Sequence, residues 1–373
     1  MLGFRMLALL MVLAVSACGR SADVGGDGAG GSNGKVRFIA LGDTGSGVDG
    51  PQSQVASLMR QVCEMRGCDF AMIAGDNIYE RGASDVDDPL FDTAFEQPYA
   101  AFDFPFLMTL GNHDNTGATI AGDGSDNSTG DVEVAYHYAE HGSGKWYLPS
   151  RYYSLSWPVG SSDPVLELFS LDSSPITHFV DDVDSQWRGG ALDQYIADQT
   201  VFMQDALAAS KARWKFALAH HPYISNGQHG NAGDYERGAL PDTCAIPLII
   251  SQSCRGEDYQ AFLENTICDQ VDVFFNGHDH ELYWLKPTAA CGKTQHILSG
   301  AGGKEREILE PGRNPGYFEL GEHYGFFWVE LDGDHFTGAV YALDLDGNSV
   351  EVDADGNPAP AFEMSFERGQ PPA

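Results

Sequence analysis

The chain has 373 residues, enough for one large domain or two small ones around a sizeable core. With 43% hydrophobic residues, its body is globular, not a disordered tract. A formal charge of −33, from 54 acidic and 21 basic residues, argues against nucleic acid and anionic lipid surfaces as partners.

Arg5 and the apolar run Met6 to Val15 read as a secretory signal, too short to span a bilayer. The run ends Val15-Ser16-Ala17-Cys18, small residues before a cysteine, which looks like a bacterial lipobox. An ordinary signal with an incidental Cys18 is the plainer alternative. The expected organisation is a signal peptide over 1–17 and a Gly/Ser/Asp-rich tether over 18–34, followed by one catalytic domain over 35–373. Lipid on Cys18 implies an exported lipoprotein. Gly19 gives no inner-membrane retention signal, so an outer-membrane anchor facing periplasm or cell surface is expected, on a monomer. The other six cysteines suit disulfides in an exported chain, and proximity suggests Cys63–Cys68, Cys244–Cys254 and Cys268–Cys291.

Past the tether, short apolar runs predict buried strands: Val36 to Leu41, Phe70 to Ala74, Phe104 to Leu110, Trp214 to Ala219 and Val271 to Phe275. One-faced apolar stripes predict helices over Gln54 to Met65, Thr200 to Ala209 and Asp258 to Ile267. Tyr152 to Trp157, Val165 to Leu171, Phe326 to Leu331 and Phe336 to Leu343 read as further strands. The class is α/β. Asn115 to Gly130 reads as a polar, mobile loop, and its Asn127-Ser128-Thr129 glycosylation pattern as chance.

A motif follows each of the first five strands. In order they are Gly42-Asp43-Thr44-Gly45, Gly75-Asp76-Asn77-Ile78-Tyr79, Gly111-Asn112-His113-Asp114, His220-His221-Pro222 and Gly277-His278-Asp279-His280. Ligands gather outside the carboxyl ends of strands in α/β sheets. Each motif alone has a plainer reading: a turn or cap for Asp43 and Asp76, an amphipathic surface ring for Tyr79, a turn histidine for His113, surface histidines for His278 and His280. Five in order are hard to assign to chance. Together they supply carboxylate, phenolate, amide and imidazole groups, enough for two metal ions. Asp76 suits a bridging carboxylate, Tyr79 suits Fe(III), and Asn112 offers its amide oxygen. That leaves His113 to face a substrate. His278 and His280, two apart in an extended segment, would point to one side, one per ion, with Asp279 facing away and without a role. Only one of His220 and His221 need be a ligand. By spacing alone, His229 is a surface residue.

These motifs resemble those of the calcineurin-like metallophosphoesterases, specifically the purple acid phosphatases. Asp43-Thr44-Gly45, where related phosphodiesterases carry Asp-x-His, and the tyrosine Tyr79 carry the distinction. Lys145 to Pro149 with Tyr152-Tyr153, the Ser299 to Gly302 turn and the Tyr324 to Tyr341 strand pair resemble the short, tartrate-resistant type. The resemblance implies two packed mixed β-sheets flanked by helices. It implies an Fe(III) site of Asp43, Asp76, Tyr79 and His280, and a divalent Fe, Zn or Mn site of Asp76, Asn112, His220 and His278. His113 and His229 become catalytic, which reverses the surface reading of His229; His221 is not a ligand. The implied reaction is hydrolysis of phosphate monoesters, on small molecules or peptides, by attack of metal-bound hydroxide. A phosphodiesterase on the same ions and a non-catalytic phosphate-binding surface lipoprotein are the alternatives. Residues 176–199 do not match the short enzymes well.

Overall fold

Alternation along the first strand sets the layering. In β1 (Lys35–Leu41), Val36, Phe38 and Ala40 face one core while Ile39 and Leu41 face another. A strand buried on both faces needs cover on both sides, and the chain supplies a helix layer on one and a second sheet on the other. The computed structural model describes residues 34–117, 129–139, 141–177, 190–233 and 256–370.

The strands that follow are β2 (Phe70–Ile73), β3 (Phe106–Met108), β4 (Trp146–Tyr147), β5 (Tyr153–Trp157), β6 (Leu166–Ser170), β7 (Trp214–Leu218) and β8 (Val273–Asn276). After them come β9 (Leu282–Leu285), β10 (Gln295–Ser299), β11 (Gly316–Leu320), β12 (Tyr324–Asp332), β13 (His335–Leu343) and β14 (Phe362–Glu367). They form two seven-stranded sheets, β14-β13-β12-β1-β2-β3-β4 and β11-β9-β10-β8-β7-β6-β5. In each, a parallel block (β1 to β4; β6, β7, β8 and β10) is extended by antiparallel strands. The expected pair of packed mixed sheets is what forms.

Between the sheets, Phe38 stacks on Phe70 with ring centroids 4.9 Å apart, and Phe216, Phe275 and Trp284 fill the same layer from the second sheet. Outside the first sheet, α1 (Pro51–Arg66) places Val55, Leu58, Met59 and Val62 on Ile39, Ala71 and Ile73. The short α2 (Gly130–Tyr138) and α3 (Ser174–Thr177) precede α4 (Ala191–Ala209) and α5 (Gly256–Thr266). Outside the second sheet, Met203 of α4 and Tyr259, Phe262 and Leu263 of α5 cover Phe169, Ala217 and Phe274. No described helix is long and apolar enough to cross a membrane.

One expectation needs correction, and one helix was not foreseen. The strand expected over Phe104 to Leu110 is only β3, because Pro105 has no N–H to donate. Its carbonyl still accepts from Ala71 N at 3.0 Å. Where the expected loop ends, at Gly130, a helix begins that the sequence reading did not foresee: α2, whose buried face mixes the acidic Glu133 with Tyr136. Disulfides Cys63–Cys68 and Cys268–Cys291 form as expected and mark an exported chain. The signal and most of the tether, the Cys244–Cys254 pair, Asn127-Ser128 and residues 178–189 of the 176–199 segment lie outside the described residues.

Candidate metal centre

All five motifs leave the carboxyl ends of β1, β2, β3, β7 and β8, so the two sheets deliver them to one place at the seam between them. Three of the residues they carry have left-handed backbones: Asp43 (φ 56°), Asp76 (φ 53°) and His278 (φ 74°). Such conformations are costly away from glycine and collect at functional sites. Glycines make the approach close. Gly75 has φ 82°, and a Cβ there would lie 2.8 Å from His220 Nδ1. At Gly45 a Cβ would lie 2.6 Å from Ile78 N, so no histidine fits where related phosphodiesterases carry one.

The side chains fall into two groups that share Asp76. In the first, the Tyr79 hydroxyl lies 3.0 Å from Asp43 Oδ1, 2.8 Å from Asp76 Oδ2 and 3.3 Å from His280 Nε2. One ligand atom each from Asp43, Asp76 and His280 lie within 4.8 Å of one another. In the second, Asn112 Oδ1 lies 2.8 Å from His220 Nε2 and 3.1 Å from His278 Nδ1, and Asp76 Oδ1 is 3.4 Å from His220 Nε2. His220 Nδ1 lies 2.8 Å from the Ala74 carbonyl, which takes its proton and leaves Nε2 as a lone pair facing the group. His221 also comes within 4.8 Å of His220 and His278. Its ring nitrogens, however, meet hydroxyls, Nδ1 with Ser173 Oγ at 2.8 Å and Nε2 with Thr177 Oγ1 at 3.2 Å. We therefore count His221 as support.

The donor chemistry fits polyvalent cations. Burial, with the neighbouring Asp43 and Asp76 charges, pushes the Tyr79 phenol well above its ordinary range. Burial also pushes Asp43 well up, with the nearby Asp76 charge adding to it. Burial acts against Asp76 too, but His220, His113 and the hydrogen bonds from His113 N and Tyr79 hold it below the usual carboxylate value. Burial and then Arg306 push His280 down to about 3, leaving it neutral and able to ligate. Anionic oxygens this crowded ionise together only around a cation.

Behind Asp76 lies a buried acid pair. Asp114 accepts from Gly111 N (2.7 Å), Asn77 N (2.8 Å) and Ile78 N (3.1 Å), while Glu133 accepts from Asn77 Nδ2 (3.0 Å). Burial and the Asp76 charge push Asp114 up to about 7; burial and Asp114 push Glu133 well above its ordinary value. We read these raised values as one proton shared between the two carboxyls. Both folded values exceed the unfolded ones, so this contribution to stability is fully present below about pH 4 and is lost as pH rises through about 7. Glu133→Gln supplies the donor without titrating. It should keep the fold and reduce the fall in melting temperature between pH 5 and pH 8 by about 2–4 °C. An unchanged slope in calorimetry would contradict the shared proton.

On the open side, His113 Nδ1 lies 2.9 Å from the Glu80 carbonyl and its Nε2 is 3.9 Å from Asp76 Oδ2. The His229 ring lies 4.0 Å from that of His278. His229 is thus at the centre and not a surface residue, as the resemblance implied and spacing did not. His278 and His280 do serve one group each. They do so through a left-handed turn at His278, not the extended segment expected. Asp279 faces away from the ligands as expected, yet it has a task that the sequence reading missed. Its carboxylate takes the Ser225 hydroxyl and, at 3.1 Å, His229 N, which fixes the loop that presents His229. Its place between two histidines was the available signal. Lys304 was missed as well: its Nζ lies 4.2 Å from the Tyr79 ring centroid and 2.8 Å from Glu80 Oε1.

Residues 36–282 match the calcineurin-like phosphoesterase family. Tartrate-resistant acid phosphatase type 5 of Rattus norvegicus is 27% identical over 337 residues, covering 84% of this chain and 88% of that protein. Purple acid phosphatase 4 of Arabidopsis thaliana is 26% identical over 328 residues, covering 85% and 83%. Two solved structures share the fold. GAP50, the anchor in the inner membrane complex of Plasmodium, has a TM-score of 0.62 at 16% identity and 90% coverage of both chains. Purple acid phosphatase PPD1 of yellow lupin (Lupinus luteus) has a TM-score of 0.56 at 15% identity, covering 91% of this chain and 55% of that one. With the family matched along most of its length and two sets of ligand atoms meeting at Asp76, this chain belongs to the calcineurin-like phosphoesterases and is a dimetal phosphoester hydrolase.

Proposed function

We propose that this enzyme is an acid phosphatase that hydrolyses phosphate monoesters by a single displacement with water, without a covalent phosphoenzyme. The observation that carries the reading is the pair of histidines, His113 and His229, set on the open side of two ligand groups joined through Asp76. Asp43, Asp76, Tyr79 and His280 would hold Fe(III), and Asp76, Asn112, His220 and His278 a divalent Fe, Zn or Mn ion. Bound there, the ions supply Lewis acidity that makes water nucleophilic at mildly acidic pH.

The chain's own groups then orient and move protons. The Glu80 carbonyl accepts from Nδ1 of His113, so Nε2 faces the substrate side; in the imidazolium form it gives its Nε2 proton to the leaving alkoxide and returns to the neutral Nδ1–H tautomer. His229, held through its backbone by Asp279, lines the same face and orients the phosphoryl group. Monoester preference is read directly from nitrophenyl phosphate against bis-nitrophenyl phosphate on the metal-loaded protein. We expect the monoester to be favoured in kcat/KM by at least about tenfold. Preference for the diester would establish the phosphodiesterase alternative. Phosphate binding with turnover of neither would establish the non-catalytic one.

The reading includes export as a monomeric lipoprotein held to the outer membrane through lipid on Cys18, facing the periplasm or cell surface, with no nucleic-acid partner. The lipobox-like Val15 to Cys18 and the two disulfides support it. Mass spectrometry of the mature protein should find an acylated Cys18 at the amino terminus; a different, unlipidated start would reject the anchor.

A further inference from the structure

The centre is bounded on its open side by Gly300 to Ile308, a loop outside the five motifs. It is tied down at both ends. Gly302 N donates to Gly42 O at 3.0 Å, Gly325 N to Ala301 O at 2.9 Å and Glu322 N to Arg306 O at 2.7 Å. Gly321 packs so closely that a Cβ there would lie 2.7 Å from Arg306 O. The loop therefore holds two cations, Lys304 and Arg306, in fixed places.

They are not equivalent. Lys304 is paired with Glu80. Arg306 is half-buried and brings Nη1 to 3.4 Å from His229 Nε2, and among the described residues it pairs with no carboxylate. In a chain with 54 acidic residues, a guanidinium at the mouth of the centre with no ion pair among the described residues is unusual. Its position is also informative. The His229 ring packs against His278 at a tilt of 39°, and Arg306 meets His229 at the ring nitrogen, Nε2. The esterified phosphate has its receivers in the centre itself. Arg306 stands beside His229 at the edge of the centre, so a substrate group that passes His229 meets the guanidinium. A guanidinium offers a planar fork of donors matched to a carboxylate or phosphate.

We infer that Arg306 receives a second anionic group on the substrate, so that the enzyme selects phosphate monoesters whose alcohol carries a carboxylate or a further phosphate-like group. This rests on the monoester reading above and names its substrate class.

The test compares phenyl phosphate with 3-carboxyphenyl phosphate and 3-phosphonophenyl phosphate on the metal-loaded enzyme. Wild type should favour one or both charged esters in kcat/KM by about tenfold. The two charged arms tell carboxylate from phosphate-like recognition. Arg306→Gln should lower the charged-to-neutral ratio about tenfold, and Arg306→Lys should lower it less. An equal loss on all three esters, or an unchanged ratio, overturns the inference: Arg306 would then serve the phosphoryl group or His229 alone. Calorimetric binding of phenylphosphonate and of 3-carboxyphenylphosphonate or 1,3-phenylenediphosphonate reads the same residue without turnover. Tighter binding of a charged ligand that Arg306→Gln removes supports the inference even if wild type hydrolyses none of the esters, an outcome that would sink the phosphatase reading instead. Equal affinities in wild type and variant overturn it.

Discussion

Asp76→Ala is expected to abolish turnover, by at least about four orders of magnitude, and to lose metal from both sites at once. Asp76 is the carboxylate that reaches both groups, Oδ2 toward Tyr79 and Oδ1 toward His220. The fold should survive. The variant loses the hydrogen bonds from His113 N to Asp76 Oδ1 (2.9 Å) and from the Tyr79 hydroxyl to Oδ2 (2.8 Å), worth about 1 kcal/mol each. It also removes a buried charge that raises both Asp43 and Asp114. Elemental analysis should find less than one ion per chain at near-normal melting temperature, and iron-loaded variant should lack the visible charge-transfer band expected of Tyr79 on Fe(III). A variant that keeps both ions, or loses less than about tenfold in rate, removes Asp76 from the bridging role. His113→Ala is the matched control. It should retain metal and lose about 10²–10⁴ in kcat, because a proton donor is missing while the ligands stand.

The candidate ligands that the structure brings together were legible because their chemistry is local. A Gly-Asp or Gly-Asn pair directly after an apolar run announces both a strand end and a donor, and Asp43, Asp76 and Asn112 all follow that rule. His229 was not legible from spacing, because a tie that holds its backbone comes from far along the chain. Asp279, some fifty residues later, fixes its backbone, and Arg313 anchors the same loop through the carbonyls of Ser225 (2.8 Å) and Gly227 (3.0 Å). Arg306 reaches the mouth only because β12 pins its loop. The sheets show the same division. Individual strands follow from apolar runs, but the pairing of Lys35 with Asp332 joins opposite ends of the domain, and no local pattern encodes it. His278 shows the limit of period-two reasoning. Its histidines were paired correctly with the two groups, but for an extended segment that the chain does not form there.

Arg151→Met should cost the most stability of any single change near the centre, about 3–5 kcal/mol at neutral pH. The Arg151 side chain is buried and ties four segments together. Its Nε meets Asp131 Oδ1 of α2 at 2.6 Å, and Nη1 meets Asn115 Oδ1 at 2.9 Å and Asp172 Oδ2, just past β6, at 3.0 Å. Asp172 Oδ2 in turn accepts from Tyr195 of α4 at 2.9 Å. Burial already pushes Asp172 up, with Arg151 the largest opposing influence. Without the guanidinium, Asp172 is left as a buried charge whose carboxyl rises further. A folded pKa raised above the unfolded one gives stability that is present in acid and lost as pH rises. The deficit should therefore be smaller at pH 5 than at pH 8, with a melting temperature lowered by roughly 4–7 °C at the higher pH. Adding Asp172→Asn should restore part of the loss, since the amide oxygen can still accept from Tyr195 and no charge remains. A double variant as unstable as the single one would show that lost packing, not the stranded carboxylate, sets the cost. Asn115 Nδ2 also donates to Gly111 O at 2.9 Å, which ties this network to the loop carrying Asn112 and His113. Weaker metal retention in Arg151→Met, recovered in the double variant, is the expected sign that one buried arginine supports both the fold and the centre.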